Sequence, residues 1–307
     1  MNPSTKAFLS EAKKTPGFSL LDGLHGYVYA RFIYTYISIA TGRHPINKII
    51  RPLNSVLGRI RSWFPKNDRG NLSTKPKVTS AETYHGKVLP LAEMRQLVSV
   101  QQDIRLENLE NIIPYQLAKD IILHHPDHLA VLDCPCRASQ ENPCLPLDVC
   151  IVVGEPFVSM ILEHHTKRSR RIALSEALQI LEEEDKRGHV HHAFFKDAML
   201  GRYYAICNCC SCCCGAIQAH EHGTPMLASS GYVAVVDNDL CIGCGSCSDY
   251  CQFHALALVD GVNKVIFELC MGCGICVSKC NVQAITLKID PIKGIPLEIY
   301  NLMEVAR

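Results

Sequence analysis

The sequence predicts an α+β protein in which a duplicated cysteine motif near the C-terminus follows a domain of mixed helices and strands. Three observations predict this class. One cysteine pattern occurs twice between residues 241 and 280. Before it, apolar runs of strand length alternate with stretches of helical periodicity. The chain has 307 residues, of which 48% are hydrophobic and 20% charged, enough for two or three domains with sizeable cores.

Composition also limits the function. The formal net charge is +1, so there is no general attraction to nucleic acid, and we expect none as a partner. The 18 cysteines follow an N-terminus without an apolar signal core, which indicates metal binding in a reducing cytoplasm, typical of an anaerobe, rather than disulfides. Nucleotide-binding, nucleophile-elbow and radical-SAM motifs are absent, and no catalytic residue is assigned.

The chain divides into three parts by composition. Residues 1–80 hold an apolar stretch, then a basic amphipathic segment and a linker at 66–80. Residues 81–230 form the predicted cysteine-rich domain, and residues 231–307 the duplicated module with a C-terminal tail. An electron-transfer protein, or an electron-transfer subunit of an oxidoreductase, is favoured over an enzyme with its own active site.

Residues 18–40 are the most apolar stretch of the chain. Asp22, His25 and Arg31 interrupt it, and its unbroken apolar part is short for a membrane span. Its four tyrosines suit either a packed core element or a segment at a membrane interface. We favour the core element; a segment at the membrane interface and a membrane span are the two alternatives.

Residues 46–64 have an apolar stripe at helical spacing, which predicts an amphipathic helix. Nine Lys or Arg residues and only one acid, Asp68, occur between Arg43 and Lys77. Such a helix, with Trp and Phe on its apolar face, suits an anionic membrane surface, although packing on the protein with solvated charges is favoured. Peripheral contact of residues 18–64 with the inner membrane is therefore an alternative expectation.

The middle of the chain mixes both kinds of element. Residues 88–125 are predicted to be mainly helical, with Pro114 at the start of one helix. The run at 128–137 reads as a strand that leads into a cysteine loop. A helix is predicted from about Ser175 to Gly188, followed by a hairpin. Helix and hairpin together have the outline of a winged helix, which is an analogy of fold only.

Ten cysteines lie outside the duplicated motif, six of them within residues 207–214. Surface thiols oxidise and buried cysteines are usually scattered, so this density predicts at least one further metal site, a third iron–sulfur cluster or zinc. The preferred ligands are Cys134, Cys136, Cys144, Cys150 and Cys207, with Cys209 and Cys210 next; Cys212, Cys213 and Cys214 complete the ten.

Charged and imidazole groups accompany these cysteines. His191 or His192 is a candidate to replace a thiolate ligand, although a hydrogen-bonding role is commoner for a single histidine. Arg137, next to Cys136, is expected either to neutralise cluster charge or to form a salt bridge. The basic run 167–171 is either a docking site for an acidic partner or a solvated face.

The duplicated motif is Cys-x2-Cys-x2-Cys-x3-Cys, the spacing of bacterial [4Fe–4S] sites, in which the fourth cysteine ligates the other cluster. Soft thiolates suit such clusters, and two-residue gaps let one loop present three of them. Zinc, which paired Cys-x2-Cys also binds, is the less favoured alternative. The predicted ligands are Cys241, Cys244, Cys247 and Cys280 for cluster I, and Cys270, Cys273, Cys276 and Cys251 for cluster II. The glycines in the gaps, expected to let backbone amides approach the cluster sulfurs, are Gly243, Gly245, Gly272 and Gly274.

Residues 231–288 resemble a bacterial two-[4Fe–4S] ferredoxin on these eight cysteines. The resemblance implies a ferredoxin-like fold with a pseudo-twofold repeat, two small hairpins with a helix after each cysteine run, and one-electron transfer to a redox partner protein. The family usually has proline after the fourth cysteine, but Gln252 and Asn281 stand there. Their amides are expected to alter hydrogen bonds near the clusters and hence the reduction potentials.

Two weaker resemblances concern the cysteine-rich domain. Residues 213–215 read Cys-Cys-Gly, which is similar to a motif of heterodisulfide-reductase-type subunits, but those have two copies. Cys-x-Cys-Arg followed by the dense run at 207–214 resembles the upstream domain of larger anaerobic ferredoxin-like proteins. No activity follows from either.

The sequence leaves three hypotheses for the function of the protein. The leading hypothesis is an electron-transfer protein with two [4Fe–4S] clusters and an additional one in the cysteine-rich domain. The alternative is an oxidoreductase with an active-site cluster in residues 134–214. A redox- or iron-sensing regulator is the third, and the near-neutral charge argues against it.

Overall fold

The computed structural model describes residues 1–15, 17–48, 84–106, 109, 112 and 121–305. Most of the predicted basic helix, the linker at 66–80 and the helix expected at Pro114 lie outside these residues.

Three helices open the chain: α1 (Pro3–Ala12), α2 (Leu20–Arg31) and α3 (Ile33–Ala40). A capping box starts α2, because the Ser19 hydroxyl accepts from the Asp22 backbone and the Asp22 carboxylate accepts from the Ser19 backbone. The buried side of α2 includes Gly26, where a Cβ would come within 2.1 Å of the Ala198 carbonyl oxygen. This segment is therefore a packed core element on one side.

The other side of α2 is apolar and exposed. Leu20 and Leu21 are 80% and 76% accessible, and Leu24 and Val28 are exposed on the same side of the helix. None of the helices in the described ranges is long and apolar enough to cross a membrane.

The described residues contain nine strands before the C-terminal module: β1 (Tyr84–Leu89), β2 (Ile104–Leu106), β3 (Ile121–Leu123), β4 (Leu129–Asp133), β5 (Asp148–Val153), β6 (Ser169–Ile172), β7 (Val190–Lys196), β8 (Arg202–Cys209) and β9 (Leu227–Ala228). Within the described residues, seven of them form one sheet in the order β6-β4-β5-β8-β7-β1-β9, and β2 pairs with β3 separately. Neighbours are antiparallel except β1 and β9, which are parallel.

Helices cover both faces of this sheet: α4 (Leu91–Val98), α5 (Pro135–Ala138), α6 (Phe157–His164), α7 (Leu174–Lys186) and α8 (Gly215–Glu221). Strand side chains alternate between the faces. On β5, Ile151 belongs to a core that contains α4 and α7, whereas Cys150 and Val152 belong to a core with α1, α2 and α6. Six cysteines of the domain belong to the second of these cores or pack against it: Cys134, Cys136, Cys150, Cys207, Cys209 and Cys214.

Two expectations for this region are wrong in the described residues. In the described part of residues 88–125 only α4 is helical, whereas β2, β3 and the end of β1 are strands, so this part is not mainly helical. The apolar residues of β1 satisfy their backbone groups by pairing with β7, a tertiary contact that local pattern does not reveal. The predicted helix and hairpin exist as α7 and β7–β8, but the hairpin lies in the middle of the sheet and β7 is buried throughout, so it is not an exposed wing.

The C-terminal module has four short strands: β10 (Tyr232–Val236), β11 (Leu256–Val259), β12 (Val262–Val265) and β13 (Ile285–Ile289). The first pairs with the last and the middle two pair together, both antiparallel. Helices α9 (Ser246–Asp249) and α10 (Ile275–Ser278) lie within the two cysteine runs rather than after them.

The module is continuous with the rest of the chain. Buried residues around its cysteine runs, such as Val233, Phe253 and Ile275, belong to the same core as the cysteine-bearing face of the large sheet, whereas Leu297 and Ile299 belong to the core on the other face. The final helix, α11 (Ile299–Val305), packs against α4, and Leu297 and Ile299 are fully buried there. The Lys87 side chain donates to the Ile295 carbonyl oxygen at 2.9 Å and joins β1 to this tail.

Candidate metal centres

The two cysteine runs of the module have matching local geometry. Gly243 and Gly272 both have φ +64°, and a Cβ at either would come within 2.2 Å of a carbonyl oxygen. The Cys251 and Cys280 sulfurs each accept from the backbone N–H four residues later, at 3.2 Å in both cases. Positive φ and close approach explain why glycine occupies these gaps.

Four of the predicted ligands line one apolar cavity of about 20 Å³. They are Cys251, Cys270, Cys273 and Cys276, the set expected for cluster II. Burial raises the pKa of the Cys276 thiol to about 12, and burial also raises the pKa of Cys273. The donors are soft thiols in a water-poor pocket, which suits an iron–sulfur cluster.

The other four predicted ligands lie closer to solvent. Cys244 is exposed, Cys241 and Cys280 are half-buried, and only Cys247 is buried. Leu240 and Ile242, which flank Cys241, are 51% and 69% accessible. The predicted cluster I position is thus the one that an outside molecule can approach.

The ten remaining cysteines form two groups in space. We call the first the six-cysteine group: Cys134, Cys136, Cys150, Cys207, Cys209 and Cys214. Neighbouring thiols in this group hydrogen-bond in a continuous series, from Cys207 through Cys150, Cys134, Cys136 and Cys214 to Cys209. The series draws on the end of β4, α5, β5, β8 and the residue before α8.

Strand pairing brings this group together. Cys207 and Cys209 are two residues apart on β8, so their side chains lie on the same face. Cys150 lies on β5, the neighbour of β8, and pairs with Leu132 of β4, whose end leads to Cys134. The backbone N–H of Cys134 donates to the Leu147 carbonyl oxygen at 2.7 Å and holds this loop against the sheet.

The six-cysteine group lines a cavity of about 490 Å³. Tyr29 of α2, Tyr36 of α3 and Lys196 of β7 also line this cavity. Thiol hydrogen bonding with Cys136 and burial raise the pKa of Cys134 to about 12. The pKa of Cys150 is raised by hydrogen bonds with Cys134 and Cys207 and by burial. In the absence of metal these thiols are therefore protonated.

Arg137 is 1% exposed and also lines this cavity. Its guanidinium donates to Glu184 at 2.5 Å, to the Pro146 carbonyl at 2.6 Å and to the Asn208 carbonyl at 3.1 Å. Burial lowers the pKa of Arg137, but the Glu184 carboxylate raises it more, so the pair stays ionised. Arg137 therefore forms a buried salt bridge beside the cysteines. Its Nε has no hydrogen-bond partner in the described part of the chain.

We call the second set the four-cysteine group: Cys144, Cys210, Cys212 and Cys213. Their sulfurs all lie within 4.8 Å of one another. Burial raises the pKa of Cys213, but the Cys144 backbone and neighbouring thiols hydrogen-bond to its sulfur and lower the pKa overall. Cys144 and Cys210, which the sequence combined with Cys134 in one ligand set, thus belong to a different group.

Cys212, Cys213 and Cys214 were not among the ligands preferred from the sequence, although their thiols lie in the two groups. Adjacent cysteines cannot all face one metal centre, so the sequence argued against using every cysteine of the dense run as a ligand of one site. In the structure the cysteines of this run divide between the two groups. Residues 207 and 209 lie on the same face of β8, and this two-residue spacing is the sequence feature that indicates a shared site for Cys207 and Cys209.

The two candidate histidines lie on opposite faces of β7. The Nδ1 of His191 hydrogen-bonds the Asn208 amide at 2.6 Å, and its Nε2 is 3.8 Å from Asp185 of α7, on the face away from the cysteines. His192 pairs across the strands with Cys207 and shares its face. Neither ring nitrogen of His192 has a hydrogen-bond partner among the described residues, and burial lowers its pKa to about 3. Ligation by His192 stays a prediction.

The C-terminal module meets the cysteine-rich domain beside the four-cysteine group. The Gln252 side-chain oxygen accepts from the backbone N–H of Ser211 at 2.8 Å and from its hydroxyl at 3.0 Å. The Gln252 amide donates to the Gly188 carbonyl at 3.0 Å. Cys251 precedes Gln252, so these bonds attach a predicted cluster II ligand to the dense cysteine run.

Comparison with known families identifies part of this arrangement. A family described as the 4Fe-4S binding domain matches residues 234–257 and 264–286, which contain all eight cysteines of the duplicated motif. The two matches fit two [4Fe–4S] clusters. Comparison with curated proteins found no match. The C-terminal module is thus a pair of 4Fe–4S binding repeats with the capacity for iron–sulfur electron transfer.

Proposed function

We propose that this protein transfers single electrons between a redox partner protein, its two [4Fe–4S] clusters and a third iron–sulfur centre held by the six-cysteine group. The observation that carries the proposal is the convergence of six thiols from separate segments on one buried cavity. Packing does not require this, since buried cysteines are otherwise scattered small hydrophobes.

The residues around the cavity fit an iron–sulfur centre. The donors are soft thiols, the cavity of about 490 Å³ has ample room, and the buried Nε–H of Arg137 is without a partner within the described chain. An N–H donor of this kind can bond a cluster sulfur. Such a centre would supply one-electron redox chemistry, and the Arg137–Glu184 pair would add a positive group close to its thiolates without a net charge.

The route of the electrons follows from exposure. Cys244 and its neighbours lie at the surface, so the partner would meet cluster I. Cluster II would take Cys251, which is joined through Gln252 to Ser211 within the dense cysteine run. Electrons would therefore enter at the exposed cluster, pass to the buried one and reach the six-cysteine group.

Metal analysis tests this function. Full-length protein purified without oxygen should contain more iron and sulfide than two [4Fe–4S] clusters require. Cys150→Ser should lose the surplus sulfide together with the iron of the third centre, and keep the EPR signals of the reduced C-terminal clusters, because its thiol neighbours Cys134 and Cys207 both belong to the six-cysteine group. Iron and sulfide equal to two clusters in both proteins would contradict the proposal.

A second candidate is an oxidoreductase whose substrate enters the same cavity. The cavity is within the usual size range of small-molecule sites, roughly 300–1,000 Å³, and its lining includes Tyr29, Tyr36 and Lys196 besides the cysteines. Catalysis at a metal requires an open coordination position. Cyanide added to the reduced protein should then change the EPR spectrum of the third centre; an unchanged spectrum would favour electron transfer alone.

We also propose that the exposed side of α2 binds an anionic membrane surface. Leu20, Leu21 and Leu24 provide the apolar contact. The sequence between Arg43 and Lys77, with nine basic residues and one acid, provides charge complementarity to anionic lipid. Apolar insertion and basic attraction together are what peripheral membrane binding requires.

A further inference from the structure

We infer that Cys144, Cys210, Cys212 and Cys213 bind one divalent, thiophilic metal ion without inorganic sulfide, at a site separate from the six-cysteine group. Zinc and iron(II) share the required chemistry, a preference for four thiolates in tetrahedral arrangement. The inference does not depend on what the six-cysteine group holds.

The spacing of the sulfurs supports a single ion. Cys212 Sγ is 3.1 Å from the sulfurs of Cys144 and Cys210 and 3.7 Å from that of Cys213. With metal–sulfur bonds of about 2.3 Å, tetrahedral ligands lie about 3.8 Å apart. A cubane instead inserts four irons and their sulfides between its thiolates, which holds the thiolates farther apart. All four sulfurs here fit within 4.8 Å.

The backbone turn explains how adjacent cysteines reach different sites. The N–H groups of Cys213 and Cys214 both donate to the Cys210 carbonyl, at 3.3 and 2.9 Å, which closes a tight turn after β8. Because of this turn, Cys213 lies next to Cys210. Cys214, directly before α8, instead contacts Cys136 and Cys209 of the other group. Cys210 and Cys213 also line the large cavity, so the two sites adjoin.

The site would fasten two loops together. Cys144 belongs to the loop between α5 and β5, while the other three ligands belong to the turn after β8. Gln140 already joins these loops by donating to the Cys212 carbonyl at 3.0 Å. The same turn contains Ser211, which hydrogen-bonds Gln252. One ion at this site would therefore stabilise the contact between the turn and the C-terminal module. Four protein ligands leave no open position, which is typical of structural sites.

The test compares metal and sulfide contents of full-length proteins purified without oxygen. Cys212→Ser should lose one zinc or iron ion per chain and no sulfide, and Cys144→Ser, from the other loop, should show the same loss. Cys214→Ser is the matched control two residues along the same run; it should keep this ion, because its thiol contacts the other group.

X-ray absorption at the zinc or iron edge identifies the ion and its ligands. If the ion is zinc, wild-type protein should show four sulfur neighbours at about 2.3 Å and no nearby metal. If it is iron, the iron-edge spectrum of wild type minus that of Cys212→Ser should show the same shell. Loss of sulfide together with several irons in Cys212→Ser would overturn the inference, as would unchanged metal content in both Cys212→Ser and Cys144→Ser.

Discussion

The side chain of Gln252 makes two hydrogen bonds to Ser211, one to its backbone N–H at 2.8 Å and one to its hydroxyl at 3.0 Å. Proline, which the resembled ferredoxins usually have at this position, offers no side-chain acceptor. The departure from the family pattern therefore coincides with the contact between the C-terminal module and the dense cysteine run. The corresponding residue of the second repeat, Asn281, is exposed and has no side-chain hydrogen bond in the described part of the structure.

Replacing Gln252 should loosen this junction. We expect Gln252→Pro to lose three hydrogen bonds and about 1–3 kcal/mol of stability, and to slow electron transfer from the C-terminal clusters to the third centre. Anaerobic urea unfolding and stopped-flow reduction measure the two effects. Asn281→Pro is the matched control, with little expected change. Equal effects of the two substitutions would mean that the Ser211 contact has no special role.

The ligand assignment of the C-terminal clusters predicts two separable losses. Cys247→Ser should damage the exposed cluster I, and Cys276→Ser should damage the buried cluster II, because the two cysteines are assigned to different sets. Iron counting and EPR of the reduced proteins should show one remaining cluster in each variant, with different spectra. Iron at the wild-type level in both would show that the assignment is wrong.

The raised thiol pKa values predict how the metal-free protein responds to pH. The pKa of Cys134 rises from an unfolded value of 9.0 to about 12 in the fold, because its thiol hydrogen-bonds Cys136 and is buried. The folded state thus holds the proton more tightly, so this stabilisation is complete below pH 9 and is lost as pH rises toward 12.

Anaerobic unfolding of metal-free, reduced protein between pH 8 and 11 measures this effect. The free energy of unfolding should fall above pH 9, and Cys134→Ser should fall less steeply. Metal binding needs deprotonated thiols, so the apparent affinity for iron should rise over the same range. A free energy of unfolding that increases with pH above 9 would contradict the prediction.

Arg137 should tune the third centre through its Nε–H. Arg137→Lys keeps the positive charge but removes the guanidinium donors, so we expect unchanged iron content and a lower reduction potential of that centre. A redox titration followed by EPR measures the shift. Arg187→Lys is the control, because Arg187 also bonds Glu184, at 3.1 Å, but is half-exposed. The same shift in both variants would assign the effect to Glu184 instead.

Membrane contact through α2 predicts salt-sensitive vesicle binding. The full-length protein should sediment with anionic vesicles at low salt and be released at high salt, because screening weakens the basic attraction. The double substitution Leu20→Asp and Leu24→Asp should weaken binding severalfold. Ile292→Asp, at a residue that is 82% accessible elsewhere, should not. Equal sedimentation of all three proteins would refute the membrane role of this face.

Residue type and spacing along the chain were enough to predict the two C-terminal [4Fe–4S] centres. All eight cysteines lie within 241–280 at a fixed spacing, and glycines stand where φ is positive and a carbonyl oxygen approaches, as at Gly243 and Gly272. These are local constraints, so a short stretch of chain carries them. The number of repeats and the type of cluster followed from the same spacing, and the family comparison agrees with both.

The division of the other ten cysteines into two groups depends on contacts between segments far apart in the chain. Cys213 and Cys214 are neighbours in the chain, yet one lies with Cys144 and the other with Cys136. Their separation depends on the turn after β8, and the six-cysteine group depends on the pairing of β4, β5 and β8. Strand order arises from contacts between residues far apart in the chain, so it cannot be predicted from the spacing of the cysteines along the sequence.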